Sequence, residues 1–162
     1  MVIGPLNAHN APQEYVMAAD KRILMPPMMR ILGYAGLTPF LLLPLFHWQQ
    51  WWLSEPRISV LFQFYSCLIL GFMAGVLWPV LYKSDQPTRR AIWGVSVVVM
   101  SFLAFALSAG SALLIQAVLF LSLRVYEVCA GLDRAYPYGY ARLRSQLSAV
   151  VILCHLWMFW LY

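Results

Sequence analysis

A chain of 162 residues that is 62% hydrophobic and 10% charged, with a mean hydropathy of +0.72, falls outside soluble-domain composition and inside that of polytopic membrane proteins. Its formal charge of +5 reports which loops face the cytoplasm. It does not point to nucleic acid, because the basic stripe with stacked aromatics that such binders carry is missing. Cys67, Cys129 and Cys154 are dispersed in apolar contexts with no CxxC or ligand spacing, so they read as small packing residues and exclude a structural metal framework.

Residues 1–29 form a polar tail without the basic start and apolar core of a cleavable signal peptide, so the first membrane helix is expected to act as an uncleaved anchor. A hydrocarbon core of about 30 Å needs about 20 helical residues, and five apolar runs near that length follow. The expected fold is therefore all-α, a bundle of five transmembrane helices in one domain over 30–162.

Span one, Arg30 to Trp52, contains Pro39 and Pro44, each of which removes a backbone donor and should bend the helix. Gly33 and Gly36 give it a close-contact face. Span two, Val60 to Tyr82, carries Gly71 and Gly75 in a GxxxG spacing, read as a helix crossing within the chain in preference to a homodimer seam. Pro79 helps to end it. Span three, Ala91 to Leu107, presents Gly94, and the uncharged SAGS, Ser108 to Ser111, makes a tight turn into span four, Ser111 to Ala130. Span five runs from Ser145 to Tyr162.

Lys21, Arg22 and Arg30 precede span one; Lys83, Arg89 and Arg90 separate spans two and three; Arg124, Arg134, Arg142 and Arg144 surround the junction of spans four and five. All of the 11 basic residues except Arg57 thus fall on one side, which places the N-terminus in the cytoplasm and the C-terminus on the outer, periplasmic face of the inner membrane. The aromatic clusters HWQQWW and WMFWLY close spans one and five at that outer interface.

Ionisable and amide side chains within spans are costly and invite a functional reading. His155 lies about 15 Å from Ser145 and His47 about 25 Å from Arg30, a depth mismatch that argues against one bis-histidine haem and for a hydrogen-bonded structural His155. Gln63, Gln116 or His155, with the bend at Pro39 and Pro44, are the polar contacts that a lipid-soluble ligand such as a quinone would use. Arg124 and Glu127, at i and i+3, share a helical face about 20–24 Å along span four. They are read as an interfacial pair whose Arg extends to the headgroups; the competing reading is a polar contact to a partner subunit or acidic headgroup.

The loop that follows alternates Arg134, Tyr136, Tyr138, Tyr140, Arg142 and Arg144 with helix-interrupting Gly131, Pro137 and Gly139, a surface suited to lipid headgroups or a protein partner. No Ser-His-Asp grouping, HExxH, P-loop, GxSxG or paired intramembrane carboxylates occur, so neither catalysis nor a metal site is expected.

LGYAGLTPF (Leu32 to Phe40), YSCLILGFMAGVLWP (Tyr65 to Pro79) and YARLRSQL (Tyr140 to Leu147), in that order, resemble a five-span family of proteobacterial inner-membrane proteins of unknown function, with a mitochondrial relative, transmembrane protein 69. The resemblance covers most of the chain from Leu32 onward. The family often has a polar or basic residue before the Trp of the second motif, where this chain has Leu77. Membership implies the membrane class and no particular reaction. The residues together favour a non-catalytic integral inner-membrane protein that accompanies other membrane subunits as an accessory or assembly factor. The second reading is a small binding or transport protein for a lipid-soluble molecule. Membrane lipid or a quinone is the only small-molecule companion expected.

Overall fold

The computed structural model describes residues 24–50, 54–78 and 87–161. Residues 1–23 of the tail, Trp51 and Trp52, the end of span two with Pro79 and Lys83, and Tyr162 lie outside the described residues. Among the described residues, five helical segments are long and apolar enough to cross a membrane: Pro27–Gln49, Glu55–Gly75, Thr88–Ala106, Ala109–Cys129 and Tyr140–Leu161. The protein is thus a multi-pass membrane protein. Among the described residues there is no strand, only one parallel bridge between Leu24 and Tyr138.

The first span is two helices, α1 (Pro27–Ala35) and α2 (Thr38–Gln49), separated at Gly36 and Leu37. Pro39, in the first turn of α2, has no N–H to return to the carbonyl four residues back, so the helical ladder opens one turn before it. Leu37 bonds instead to Tyr34 O in a tighter turn, and the Tyr65 hydroxyl donates to Gly36 O at 2.9 Å. The expected bend is therefore present but displaced toward Gly36. Pro44, expected to add a second interruption, sits inside a continuous helix with its ring buried.

Helix α3 (Glu55–Gly75) starts five residues before the expected boundary at Val60. Pro56 suits a first helical turn, where its missing donor costs nothing, and Glu55 complements the positive end of the helix. Arg57, expected in a loop, thus belongs to the first turn of α3. Helix α4 (Pro87–Leu103) passes through a 3₁₀ turn at Ala104–Ala106 to extended Leu107, and Ser108 precedes α5 (Ala109–Cys129). Ser108 and Ser111 hydroxyls bond at 2.9 Å, but Ala109 and Gly110 are already helical, so the turn is shorter than SAGS. After a 3₁₀ turn at Leu132–Ala135, α6 (Tyr140–Leu161) also begins five residues before its expected start.

Helices α5 and α6 form the most extensive pair; α3 lies against α2, α4 and α5, and α6 also contacts α1 and α2. Between them lies a core of Phe40, Phe62, Leu70, Leu77, Phe120, Leu123 and Met158. Lipid tails give apolar helices no solvent-driven reason to associate, so small residues matter where backbones approach. A methyl on Gly33 would stand 3.2 Å from Leu147 Cδ1, so α1 docks on α6 at that glycine. Gly94 sits against Ala74, and Gly71 faces Val98, which builds the α3–α4 contact. Gly36 meets its own preceding turn and the Tyr65 hydroxyl, and nothing among the described residues lies within 4 Å of a methyl on Gly75, so among those residues the GxxxG pattern packs through Gly71 alone. Gly75→Ala is accordingly expected to leave stability unchanged or raise it by up to about 1 kcal/mol, because alanine is the better helix former. A loss of stability in a detergent melt, or loss of a dimer, would show that Gly75 is a contact surface after all.

Candidate functional site

The strongest concentration of polar chemistry lies at the end of the bundle where α3 and α5 finish and α6 begins. Arg124 and Glu127 occupy the last turns of α5 on the same stripe as Gln116, Phe120 and Leu123, which faces the interior. Arg144 lies on the buried stripe of α6 with Ser148, Val151 and His155. Helical register therefore aims Arg144 directly at Glu127. Gly131, at φ 69°, turns the chain after α5 and brings Asp133 back over Arg124.

Arg124 donates from Nη1 and Nη2 to both Asp133 carboxylate oxygens, at 2.8 and 2.7 Å. It also donates to Glu127 Oε2 at 3.1 Å and to Ser145 Oγ at 2.9 Å. Arg144 grips Glu127 from the other side, with Nε to Oε2 at 2.9 Å and Nη2 to Oε1. Its Nη2 reaches Met73 O at 3.2 Å, a carbonyl in the last turn of α3 that has no further helical donor ahead of it. The Tyr136 and Tyr140 rings lie 5.7 and 5.8 Å from the Arg144 guanidinium, in cation–π range.

Glu127 is fully buried and Arg144 is 3% exposed. Two guanidinium and two carboxylate groups cancel in charge, which is the condition for burying them at all. The expectation that Arg124 extends to the headgroups is corrected here: it turns inward, because Asp133 and Glu127 offer fixed acceptors that desolvated lipid interior does not. The loop expectation divides in the same way. Arg134, Tyr138 and Arg142 are exposed, whereas Tyr136 and Arg144 are buried and Tyr140 is half-buried.

The Arg124 guanidinium, by its hydrogen bonds first and its charge second, holds the Asp133 carboxyl below the usual carboxylate range. Burial raises the Tyr136 phenol, so it stays protonated, with its buried hydroxyl lacking a partner. A carboxyl depressed by folding stabilises the folded state above its unfolded value of 3.8 and loses that contribution as pH falls through the folded value. Melting temperature in detergent is therefore expected to fall below about pH 4, and Asp133→Asn should remove part of that acid-side slope.

The remaining polar candidates lie apart from this network. His155 is fully buried between Phe62, Phe120 and Phe40, with ring centroids at 4.8, 5.4 and 5.8 Å. Its Nδ1 lies 2.8 Å from Val151 O, so Nδ1 carries the proton, and Nε2 lies 3.0 Å from Ser66 Oγ, whose single hydroxyl proton is shared between Nε2 and Phe62 O at 2.8 Å. Both nitrogens are thus engaged within the bundle. Gln116 donates to Gln63 O at 3.0 Å and to Ser101 Oγ at 3.2 Å, tying α5 to α3 and α4. The contact to Gln63 uses its main-chain carbonyl. Gln116 Oε1 and His47 Nε2 are buried without partners. No group of three or more His, Cys, Asp or Glu converges among the described residues.

Beside the network, α1, the α5–α6 loop and the first turns of α6 enclose a cleft of about 570 Å³. Arg30, Tyr34, Asp133, Tyr138, Arg142 and Gln146 supply its polar lining. The sequence singles out Tyr138 and Arg142 through their loop; Arg30, Tyr34, Asp133 and Gln146 carry no local pattern that marks them, since the docking of α1 on α6 brings Arg30 and Tyr34 to Gln146 and the turn at Gly131 brings Asp133. Tyr34 donates to Gln146 Oε1 at 3.0 Å across that contact.

No curated protein and no solved structure matches the chain. The model of a family described as protein of unknown function, DUF3429, matches residues 25–160, which takes in the five membrane helices but for Leu161 at the end of the last. The chain belongs to the DUF3429 family.

Proposed function

We propose that this is a non-catalytic inner-membrane protein, with its charged end in the cytoplasm, that serves as an accessory or assembly subunit of a larger membrane complex. The observation that carries this reading is the inward pairing of Arg124, Glu127, Asp133 and Arg144 behind an exposed Arg134, Tyr138 and Arg142 surface. Ionisable groups that saturate one another have no spare acid, base or nucleophile, whereas they do fix a loop in one conformation. Arg and Tyr on a fixed surface are the residue types that protein interfaces favour, because little side-chain freedom is lost on contact. The proposed orientation follows from the excess of Arg at that end.

Native purification through an N-terminal tag tests the role. A stoichiometric membrane partner that is lost in an Arg134→Glu/Tyr138→Ala variant is the expected result; recovery of the protein alone from mild detergent would sink it. A second reading, binding of a lipid-soluble molecule such as a quinone, draws on one observation. Gln116 Oε1 is a buried acceptor without a donor, and a quinol hydroxyl would supply one. Organic extraction of the purified protein should then yield quinone in near-stoichiometric amount, reduced in Gln116→Leu.

A further inference from the structure

The geometry points to the cleft between α1 and the start of α6 as a binding site for the phosphate headgroup of an anionic membrane phospholipid, held by Arg30 and Arg142. This is independent of the accessory-subunit reading, because it concerns the purified chain alone.

Three features converge on that ligand. The first is charge. Arg30 and Arg142 both line the cleft, and the one carboxylate that shares the lining, Asp133, is already held bidentate by Arg124. The space therefore sees two guanidinium groups without an equal number of uncommitted anions, the donor set that matches a phosphodiester. The turn at Gly139, at φ 87°, lies against Arg30, whose Nη2 is 3.4 Å from where a methyl would stand. The first turn of α6 also contributes Ala141 and Arg142 to the wall, so the positive end of a 22-residue helix adds to the same potential.

The second feature is size: about 570 Å³ is the scale of sites that enclose a small ligand, enough for a headgroup and too little for a folded partner. The third is position. The cleft opens at the ends of membrane helices, where headgroups lie. Helix α1 has no buried residue, and Met28, Ile31 and Leu32 are exposed along it. An acyl chain can follow that apolar face while the phosphate remains between the arginines, whereas free phosphate would leave the face unused.

The test uses the full chain, reconstituted in vesicles of equal parts phosphatidylglycerol and phosphatidylethanolamine and re-extracted in detergent, with co-purifying lipid counted by native mass spectrometry. Wild-type protein is expected to retain phosphatidylglycerol over phosphatidylethanolamine by about thirtyfold, the attraction expected of two arginines near a surface. Arg30→Gln and Arg142→Gln should each lower the preference about fivefold, and the double variant should bring it near parity. Neither arginine belongs to the buried network, so each single variant should keep the wild-type melting temperature. Parity in the wild type, or an undiminished preference in the double variant, would overturn the proposal. So would calorimetric binding of inorganic phosphate to lipid-free wild type at micromolar Kd without any lipid preference, which would assign the arginines to a soluble anion.

Discussion

Replacing Glu127 by Gln is expected to destabilise the protein by about 3–5 kcal/mol, measured as reversible unfolding in mixed micelles. Glu127 is fully buried and, among the described residues, is the one carboxylate that pairs with both Arg124 and Arg144. Arg124 keeps Asp133 after the substitution, but Arg144 is left with the neutral amide of the new Gln, a carbonyl, a phenol and two aromatic faces, none of which carries a negative charge. The loss is therefore mainly the cost of an uncompensated guanidinium in a low-dielectric site, and much less the intrinsic worth of two hydrogen bonds. The exposed Arg134 provides the control: Arg134→Gln should change stability by no more than about 1 kcal/mol. A loss from Glu127→Gln no larger than that control would mean that water or headgroups reach Arg144 in the membrane.

Phe40→Ala is the second large effect, and its size depends on what the bilayer does to the reference state. Phe40 has no exposed surface and touches the rings of Phe62, Tyr65, Phe120 and His155 at 5.0 to 6.1 Å. In a soluble core such a truncation costs about 3–5 kcal/mol, part of it transfer from water and part the residual cavity. Separated helices in lipid remain in an apolar medium, so only the packing and cavity part is lost. About 2–3 kcal/mol is expected, and Phe40→Leu, which fills most of the volume, should cost less than about 1.5 kcal/mol. A full 5 kcal/mol for alanine would show that the break at Gly36 and Leu37 depends on this ring as well.

Span number was legible in the sequence because apolar length and flanking charge both register the bilayer. Boundaries were legible only where apolar sequence and helix end together, as in α5. Helices α3 and α6 each start five residues earlier than hydropathy indicates, because Glu55, Arg57, Arg142 and Arg144 interrupt an apolar run without interrupting a helix. Charge ends the hydrophobic signal; the backbone ladder continues into the interface.

The same distinction explains the site. Taken as a loop residue, Arg144 has no face, and Glu127 then has no counter-charge other than Arg124. Taken as helical, Arg144 falls in register with Ser148, Val151 and His155, and its inward direction follows. The other closing member, Asp133, could not be found that way. It reaches Arg124 only through the turn at Gly131, a tertiary return that no periodicity encodes. Equally, the GxxxG pattern marks two glycines, while the contact it was expected to make depends on whether a neighbouring helix extends far enough to meet both. Here Val98 meets Gly71, and among the described residues nothing lies within 4 Å of a methyl on Gly75.

The account rests on the charged residues at the end of α5 and the start of α6 acting as one buried unit that holds the loop in place. A double-mutant cycle between Glu127→Leu and Arg144→Met tests it most directly, with stability read from reversible unfolding in mixed micelles. Each single change should cost several kcal/mol, and the double change should cost about 2–3 kcal/mol less than the sum of the two, because removing both charges leaves neither unpaired. Two small losses that simply add would contradict the account and return Arg144 to the membrane surface.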